Sequence, residues 1–281
     1  MIFERAEKVM PRATDGIQPR TTRIQSIERA AGLLRQIAAS NLTGLRLVDL
    51  VRMSGLPKAT VSRILSELST FGFVVRDDAH RFHLGAFSRE LGVAASAHFR
   101  LPDLCRPVVA SLADLTGEAV YLKMKSGTEV ICLDMATPAK RCDVGGAFKG
   151  CRVSLGVGAG GLALLSFLAE EERRGVLNKG RILLPSGSVL YPDTLARRVE
   201  QTRATGFAES AGEVVPGMSA LGFPIFDTGG RPVVAMSVAV PTSKLTAAHR
   251  RFVLERLREH AGRVQTVIRH HRVMAHDPLS Y

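Results

Sequence analysis

The run LPKATVSRILSEL, Leu56 to Leu68, limits this chain more than any other segment. Val61, Ile64, Leu65 and Leu68 fall at i, i+3, i+4 and i+7, which makes one apolar stripe of a helix. At roughly 100° per residue, Ala59, Ser62, Arg63 and Ser66 point away from that stripe, and Lys58 sits on the flank near the start. Pro57 suits the first helical position, where its missing N–H is harmless. The outward face is small, polar and basic, so a nucleic-acid backbone or base edge can come close. A helix of this kind fits the major groove of duplex DNA.

The flanking sequence supplies the expected neighbours. Ile27, Ala30, Ala31, Leu34, Ile37 and Ala38 form a stripe over residues 24–38, and Leu47, Leu50 and Val51 form a shorter one after Thr43-Gly44. Ser54-Gly55-Leu56 makes a tight turn into the Pro57 helix. Helix, short glycine-containing turn and second helix together predict a helix-turn-helix. The stretch FGFVVRDDAHRFHLG then predicts a two-stranded hairpin, with Phe73 and Val75 on one strand, a turn at Asp77–His80, and Phe82 and Leu84 on the return. Arg76 and Arg81 flank the tip of this wing, where arginine suits phosphate or the minor groove. Residues 20–98 hold eleven Lys and Arg against six Asp and Glu.

Charge points the same way for the whole chain. A net charge of +12 favours a polyanionic partner, whether DNA, RNA or an acidic membrane. Aromatic residues are only 5% and Trp is absent, which leaves little material for the stacking platforms of single-strand binders. No apolar run approaches the roughly 18 residues of a membrane span. The first twenty residues lack an apolar signal core, so a cytoplasmic protein is expected. Cys105, Cys132, Cys142 and Cys151 contain no C-x-x-C and are read as free thiols. A metal site from Cys142, Cys151 and a histidine is disfavoured, because His80 and His83 read as wing surface. Neither metal nor cofactor is expected.

After the wing, residues 86–98 are helical and Ala-rich, Pro102 breaks the pattern, and 103–116 resume a helix with Leu104, Val108, Leu112 and Leu115. The period then changes to two. AVYLKMK and EVICLDM flank Ser126-Gly127, and MSALGFPIFD and PVVAMSVAV flank Thr228-Gly229-Gly230, so two hairpins are predicted. Helices are expected near 160–172 and 193–204, and a final amphipathic helix near 246–270. This gives an α+β fold, a winged helix-turn-helix followed by a domain built on an antiparallel sheet. The expected divisions are a tail at 1–21, a DNA-binding domain at 22–85, a linker helix at 86–101, an effector domain at 102–274 and a tail at 275–281.

Gly156, Gly158 and Gly161 spell G-x-G-x-x-G between the strand-like CRVSL and a helix. That is the local context of a dinucleotide fingerprint, and it keeps an NAD(P)-dependent enzyme open as the alternative. The wider context fails, because RILLP runs into Pro185-Ser186-Gly187 without the acidic residue such a fold needs. H-E-x-x-H, G-x-S-x-G and P-loop patterns are also absent. The chain is therefore not expected to be an enzyme.

The segments RIQSIERAAGLL and SGLPKATVSRILSELSTFGFV, with GFAESAGEVVPGMSALGFPIFDTGGRPVVAMSVAVP further on, make the chain resemble the IclR (isocitrate lyase regulator) family of bacterial transcription factors. The likeness spans about residues 22–272. It implies a winged helix-turn-helix, a dimerising linker helix, a GAF-like sensor domain, a small organic or aromatic acid as effector, and homodimers or homotetramers on an operator with an inverted repeat. It also implies a repressor or activator of a catabolic operon. Lys58, Ala59, Thr60, Ser62 and Arg63 would meet DNA, with Arg63 reading a base and Thr60 holding phosphate. By position Ala159 and Gly160 match the family's effector-contacting backbone pair, with Gly161 beside them. Ser210 falls at an acidic contact, Ala220 at a thiol contact, and Ser237 and Ala239 at two serine positions. Only Ser237 keeps its hydroxyl, which implies a less polar pocket and a larger or more apolar effector. Arg141 and Arg152 are further candidates to pair with an acid.

Overall fold

The computed structural model describes residues 24–41, 43–96, 100–138 and 149–271. The proposed tails, Arg141 and Cys142 lie outside them. In the N-terminal part, α1 (Gln25–Ala39), α2 (Leu47–Ser54) and α3 (Lys58–Thr70) enclose Leu33, Ile37, Leu50, Val61, Leu65 and Leu68. A three-stranded sheet of β1 (Leu45–Arg46), β3 (Arg81–Leu84) and β2 (Val74–Arg76), in that order, closes the core with Val74 and Phe82. The α2–α3 turn forms as read: Gly55 adopts φ 65°, and its N–H donates to the Val51 carbonyl at 3.0 Å. Glycine tolerates this left-handed backbone without a Cβ penalty.

Several local expectations change. Pro57, at ψ 140°, is the cap, and the helix begins at Lys58. The wing has three strands, because Leu45 and Arg46 pair with Phe82 and Arg81. Its inward residue is Val74, at 2% exposure, while Val75 is 52% exposed, so the alternation expected through Phe73 and Val75 fails on this strand, where Arg76 is exposed as well. Ile27 is 63% exposed and Leu33 takes the core position instead.

The helix α4 (Ala86–Ser96) follows the wing, and Phe87 packs edge-on against Phe73 with ring centroids 4.8 Å apart. The C-terminal part then begins with α5 (Leu101–Thr116), which accepts Pro102 in its first turn and Pro107 further in. A six-stranded antiparallel sheet follows, in the order β6 (Arg152–Ser154), β5 (Glu129–Ala136), β4 (Ala119–Ser126), β11 (Pro232–Pro241), β10 (Met218–Phe226) and β9 (Ala208–Ala211). Both predicted hairpins are present as β4–β5 and β10–β11. On one face α5 and α9 (Ala247–His271) bury Leu112, Leu257 and Val264 against Val120, Leu122 and Met236. On the other, α6 (Gly158–Phe167) and α8 (Pro192–Thr205) bury Leu162, Leu165 and Leu195 against Val130, Ala208 and Ala235. The helix expected over 160–172 is two helices, α6 and α7 (Glu170–Leu177), broken where Leu168 turns to ψ 159°. A small hairpin of β7 (Ile182–Leu183) and β8 (Val189–Leu190) precedes α8.

Helices on both faces enclose most residues of the central strands whichever way they point, the polar Lys123, Ser219 and Ser237 included, while the edge strands keep Ser154, Glu209 and Ala211 exposed. Among the described residues no helix is long and apolar enough to cross a membrane.

Candidate functional site

Two places carry chemistry. The first is the outer face of α3. Lys58, Ala59, Ser62, Arg63 and Ser66 are exposed, and Thr60 is half-buried at the side. The inward stripe anchors the helix through Val61, Leu65 and Leu68. Arg63 makes no hydrogen bond or ion pair with any described residue, so its planar fork of donors is available to a guanine edge or a phosphate. Beside α3, Arg76 is exposed and lies 5.6 Å from the centre of the Phe82 ring. Arg81 is tied inward, its Nη1 donating to the Thr43 and Gly44 carbonyls at 3.4 and 3.3 Å. It braces the wing against the α1–β1 loop while keeping one end half exposed.

The wing is fixed by a polar clasp that no spacing or motif announces. His83, read from sequence as wing surface, is half-buried, with Nδ1 2.8 Å from the Asn41 carbonyl and Nε2 2.9 Å from Asp77 Oδ2. The Leu84 N–H donates to Asn41 Oδ1 at 2.7 Å, and the Arg81 N–H to Asp77 Oδ1 at 2.7 Å. Both ring nitrogens of His83 face acceptors, an arrangement that favours imidazolium. The Asn41 carbonyl first, then Asp77, raise its pKa, while the Arg81 N–H and then His83 hold the Asp77 carboxyl below its usual value. Gly44 is required beneath the ring: a Cβ there would sit 2.5 Å from His83 Nε2.

The second place is a cavity of about 50 Å³ between the sheet and the N-terminal turn of α6. Its lining includes Ala159, Ser210, Ala220, Ser237 and Ala239, all expected there from the sequence, together with Tyr121, Lys123, Gly158 and Glu213. Strand register explains the gathering. Ser210 of β9, Ala220 of β10 and Ala239 of β11 are directly opposed in one row, and Gly222, Ser237 and Tyr121 in the next. The floor is tight: a Cβ on Gly222 would lie 2.7 Å from the Ala159 carbonyl oxygen, and one on Gly160 2.8 Å from Lys123 Cδ. Gly161 follows in the same turn, and a Cβ on it would face Gly156 and Val130. Arg152 is elsewhere, bonded to Ser126 and Glu129 at the sheet edge.

The charges of this cavity alter the sequence reading of a less polar pocket. Glu213 Oε2 accepts the Gly158 N–H at 2.8 Å and its other oxygen pairs with Arg198. An internal carboxylate thus already satisfies part of the donor-rich start of α6. Lys123 is buried nearby, and burial depresses its amine pKa. Burial also raises the Tyr121 hydroxyl to about 12. Behind them lie Cys132 and Cys151, and the Cys132 thiol is pushed up by its hydrogen bond with Cys151 and by burial. Among the described residues no cluster of ligands suited to a metal is found. Lys123 and Tyr121 were missed because a strand pattern does not say which polar side chain is enclosed, and Glu213 because it lies in the quoted run GFAESAGEVVPG without a partner visible in the sequence. The one available signal was a lysine alternating through AVYLKMK, in a strand flanked by helical segments.

A glycine-led helix over an antiparallel sheet is not a dinucleotide fold, which needs parallel strands. An exposed basic recognition helix beside a braced wing, joined to a domain with a small polar cavity, defines a ligand-responsive DNA-binding regulator. The helix-turn-helix domain of the IclR regulators matches residues 26–78, and the C-terminal domain of the bacterial transcriptional regulator IclR matches residues 93–266. The chain belongs to the IclR family. It is 29% identical over 229 residues to the HTH-type transcriptional regulator BhcR of Paracoccus denitrificans, spanning 80% of each chain. An IclR regulator structure from Silicibacter sp. TM1040 is similar at TM-score 0.72 and 26% identity, covering 86% of this chain and 96% of that one. An IclR homologue from Microbacterium hydrocarbonoxydans, complexed with 4-hydroxybenzoate, shares the fold at TM-score 0.65 and 22% identity over 86% of this chain and 98% of that one.

Proposed function

We propose that this regulator reads a palindromic operator as a homodimer or homotetramer and is switched by a small organic acid, with aromatic carboxylates in the class. The single observation that carries the DNA half is the unencumbered basic face of α3, with Arg63 outward and Val61, Leu65 and Leu68 inward. Lys58, Thr60 and Ser62 hold phosphates, Ala59 allows close approach, Arg63 reads a base, and Arg76 and Arg81 bring the wing to the backbone. Pairing through α4 is supported by its exposed Phe87, Leu91 and Val93, and a two-fold dimer matches an inverted repeat. The acid half is supported by the cavity at the α6 start and by the 4-hydroxybenzoate held by the Microbacterium homologue. Effector binding shifts the population between dimer geometries that fit and do not fit the operator. The protein works in the cytoplasm and carries out no catalysis.

Titration of the full chain against the duplex upstream of its own gene tests the DNA reading. The expected preference over a scrambled duplex is about 10³-fold or more. Equal affinity for both duplexes sinks it.

A further inference from the structure

Lys123 is the buried cation of the cavity, and no carboxylate pairs with it directly among the described residues. The side chain is 8% exposed, and it makes no hydrogen bond or ion pair with any described residue. Its Nζ lies over the Tyr121 ring, 5.5 Å from the ring centre. Burying an ammonium without a counter-charge is strongly unfavourable, and such groups persist where function needs them. Its position is set by packing: β4 delivers it to the α6 face, and Gly160 makes room along its stem, since a Cβ there would meet Lys123 Cδ at 2.8 Å. Nζ ends 3.9 Å from the point a Cβ on Gly158 would occupy, at the first turn of α6. The groups facing it are Glu213 from the loop before β10, Tyr121 of its own strand, and the thiols of Cys132 and Cys151. Glu213 is the only carboxylate among them. It is already committed to Arg198 and to the Gly158 N–H. A cation and a helix N-terminus therefore converge on one cavity, and the internal acid answers only part of that field.

We propose that Lys123 is the charge anchor of the effector site, receiving the carboxylate of a small organic anion against the α6 turn at Ala159 and Gly160. This rests on the effector half of the proposed function and assigns a residue to it. The carboxylate accepts from the ammonium in a charge-assisted bond. The hydroxyls of Ser210 and Ser237, both lining the cavity, are left to read the remainder of the molecule. With about 50 Å³ available, two- and three-carbon acids enter first, and a ring enters only as the rim widens.

The test is calorimetric titration of the full-length chain with glyoxylate, pyruvate and benzoate, and with pyruvamide and benzamide as matched neutral probes. Wild type is expected to bind at least one carboxylate and at least tenfold more weakly its amide. Lys123→Met keeps the length of the side chain and removes the charge. It is expected to lose that preference for the carboxylate while its ligand-free melting temperature holds or rises, because a buried charge without a direct partner is gone. A merely structural lysine would instead lower the melting temperature and leave the preference intact. Lys123→Arg, as the charge-keeping control, is expected to retain the carboxylate preference. Binding of amide and acid with equal strength overturns the anchor, as does failure of every carboxylate to bind wild type. Operator binding, followed in parallel on the upstream duplex, separates these results from failure of the regulator reading, since Lys123→Met leaves α3 untouched.

Discussion

The N-terminal and C-terminal parts of this chain solve opposite problems. In the reading domain a small apolar interior holds up a reactive exterior: Leu50, Val61 and Leu65 are buried so that Lys58 and Arg63 can stand in solvent. In the sensor domain the helices cover both faces of the sheet, and the chemistry lies inside, where Lys123, Glu213, Ser210 and Ser237 are all buried. A charge on the outside works by being available to a long polymer and is weakened by water and salt. A charge on the inside works by being scarce, and it acts strongly on whatever small molecule reaches it. The same basic residues thus supply broad attraction in one half and selectivity in the other.

Breaking one half should leave the other standing. Leu65→Ala removes a fully buried side chain from the smaller core, and about 2–5 kcal/mol of stability is expected to be lost. Scanning calorimetry of the full chain should then show an early transition for the reading domain and an unmoved one for the sensor. A single transition displaced as a whole would mean that the two cores are one cooperative unit. Gly222→Ala is the converse change. Its Cβ meets the Ala159 carbonyl at 2.7 Å, so about 1–3 kcal/mol is expected to be lost from the sensor alone, with affinity for a random duplex unchanged.

Arg63→Ala should move neither transition. Its effect is confined to operator preference, which is expected to fall by about 1–3 kcal/mol of base discrimination, read by competition between operator and scrambled duplex. Equal losses on both duplexes would make Arg63 a phosphate contact. The smallest effect belongs to the wing clasp. The folded-state pKa of His83 lies above its ordinary value, so its stabilisation is complete below about 6.5 and is lost as pH rises through the raised value. Asp77 lies below its ordinary value, so its share is present above about 3.9 and is lost as pH falls through the lowered one. The difference in melting temperature between wild type and His83→Gln should therefore shrink from pH 6 toward pH 8. A difference that grows over that range would show that the ring is held neutral.

The reading domain was largely legible because its pattern is helical and its surface is exposed. The α3 stripe places Val61, Leu65 and Leu68 inward and Arg63 outward by spacing alone. Where strands replaced helices the reading weakened. In VVR both Val74 and Val75 are apolar, so hydrophobicity cannot choose which one turns inward; pairing with β3 decides it for Val74. His83 looked like wing surface because its partners Asn41 and Asp77 are brought to it by the α1–β1 loop and the wing turn. In the sensor the small-residue positions Ala159, Ser210, Ala220, Ser237 and Ala239 were found through resemblance, and the register of three strands explains why the last four meet beneath α6. Lys123 and Glu213 escaped for the same reason: only the completed sheet, roofed by α6, turns a strand lysine and a loop glutamate into neighbours. The split of α6 from α7 at Leu168 was equally hidden, since α6 is buried nearly all round and no glycine or proline marks the break.

The bare contact between Gly222 and the Ala159 carbonyl has a consequence for chemical taste. Helix and sheet touch there backbone to backbone, so no side chain remains on that side that could be trimmed to enlarge the chamber. Room for a bulkier guest has to come from the loop residues that also line the cavity, Val214, Val215 and Met218. A regulator of this build would change its effector by rewriting that short stretch, while the floor at Gly222 stays fixed.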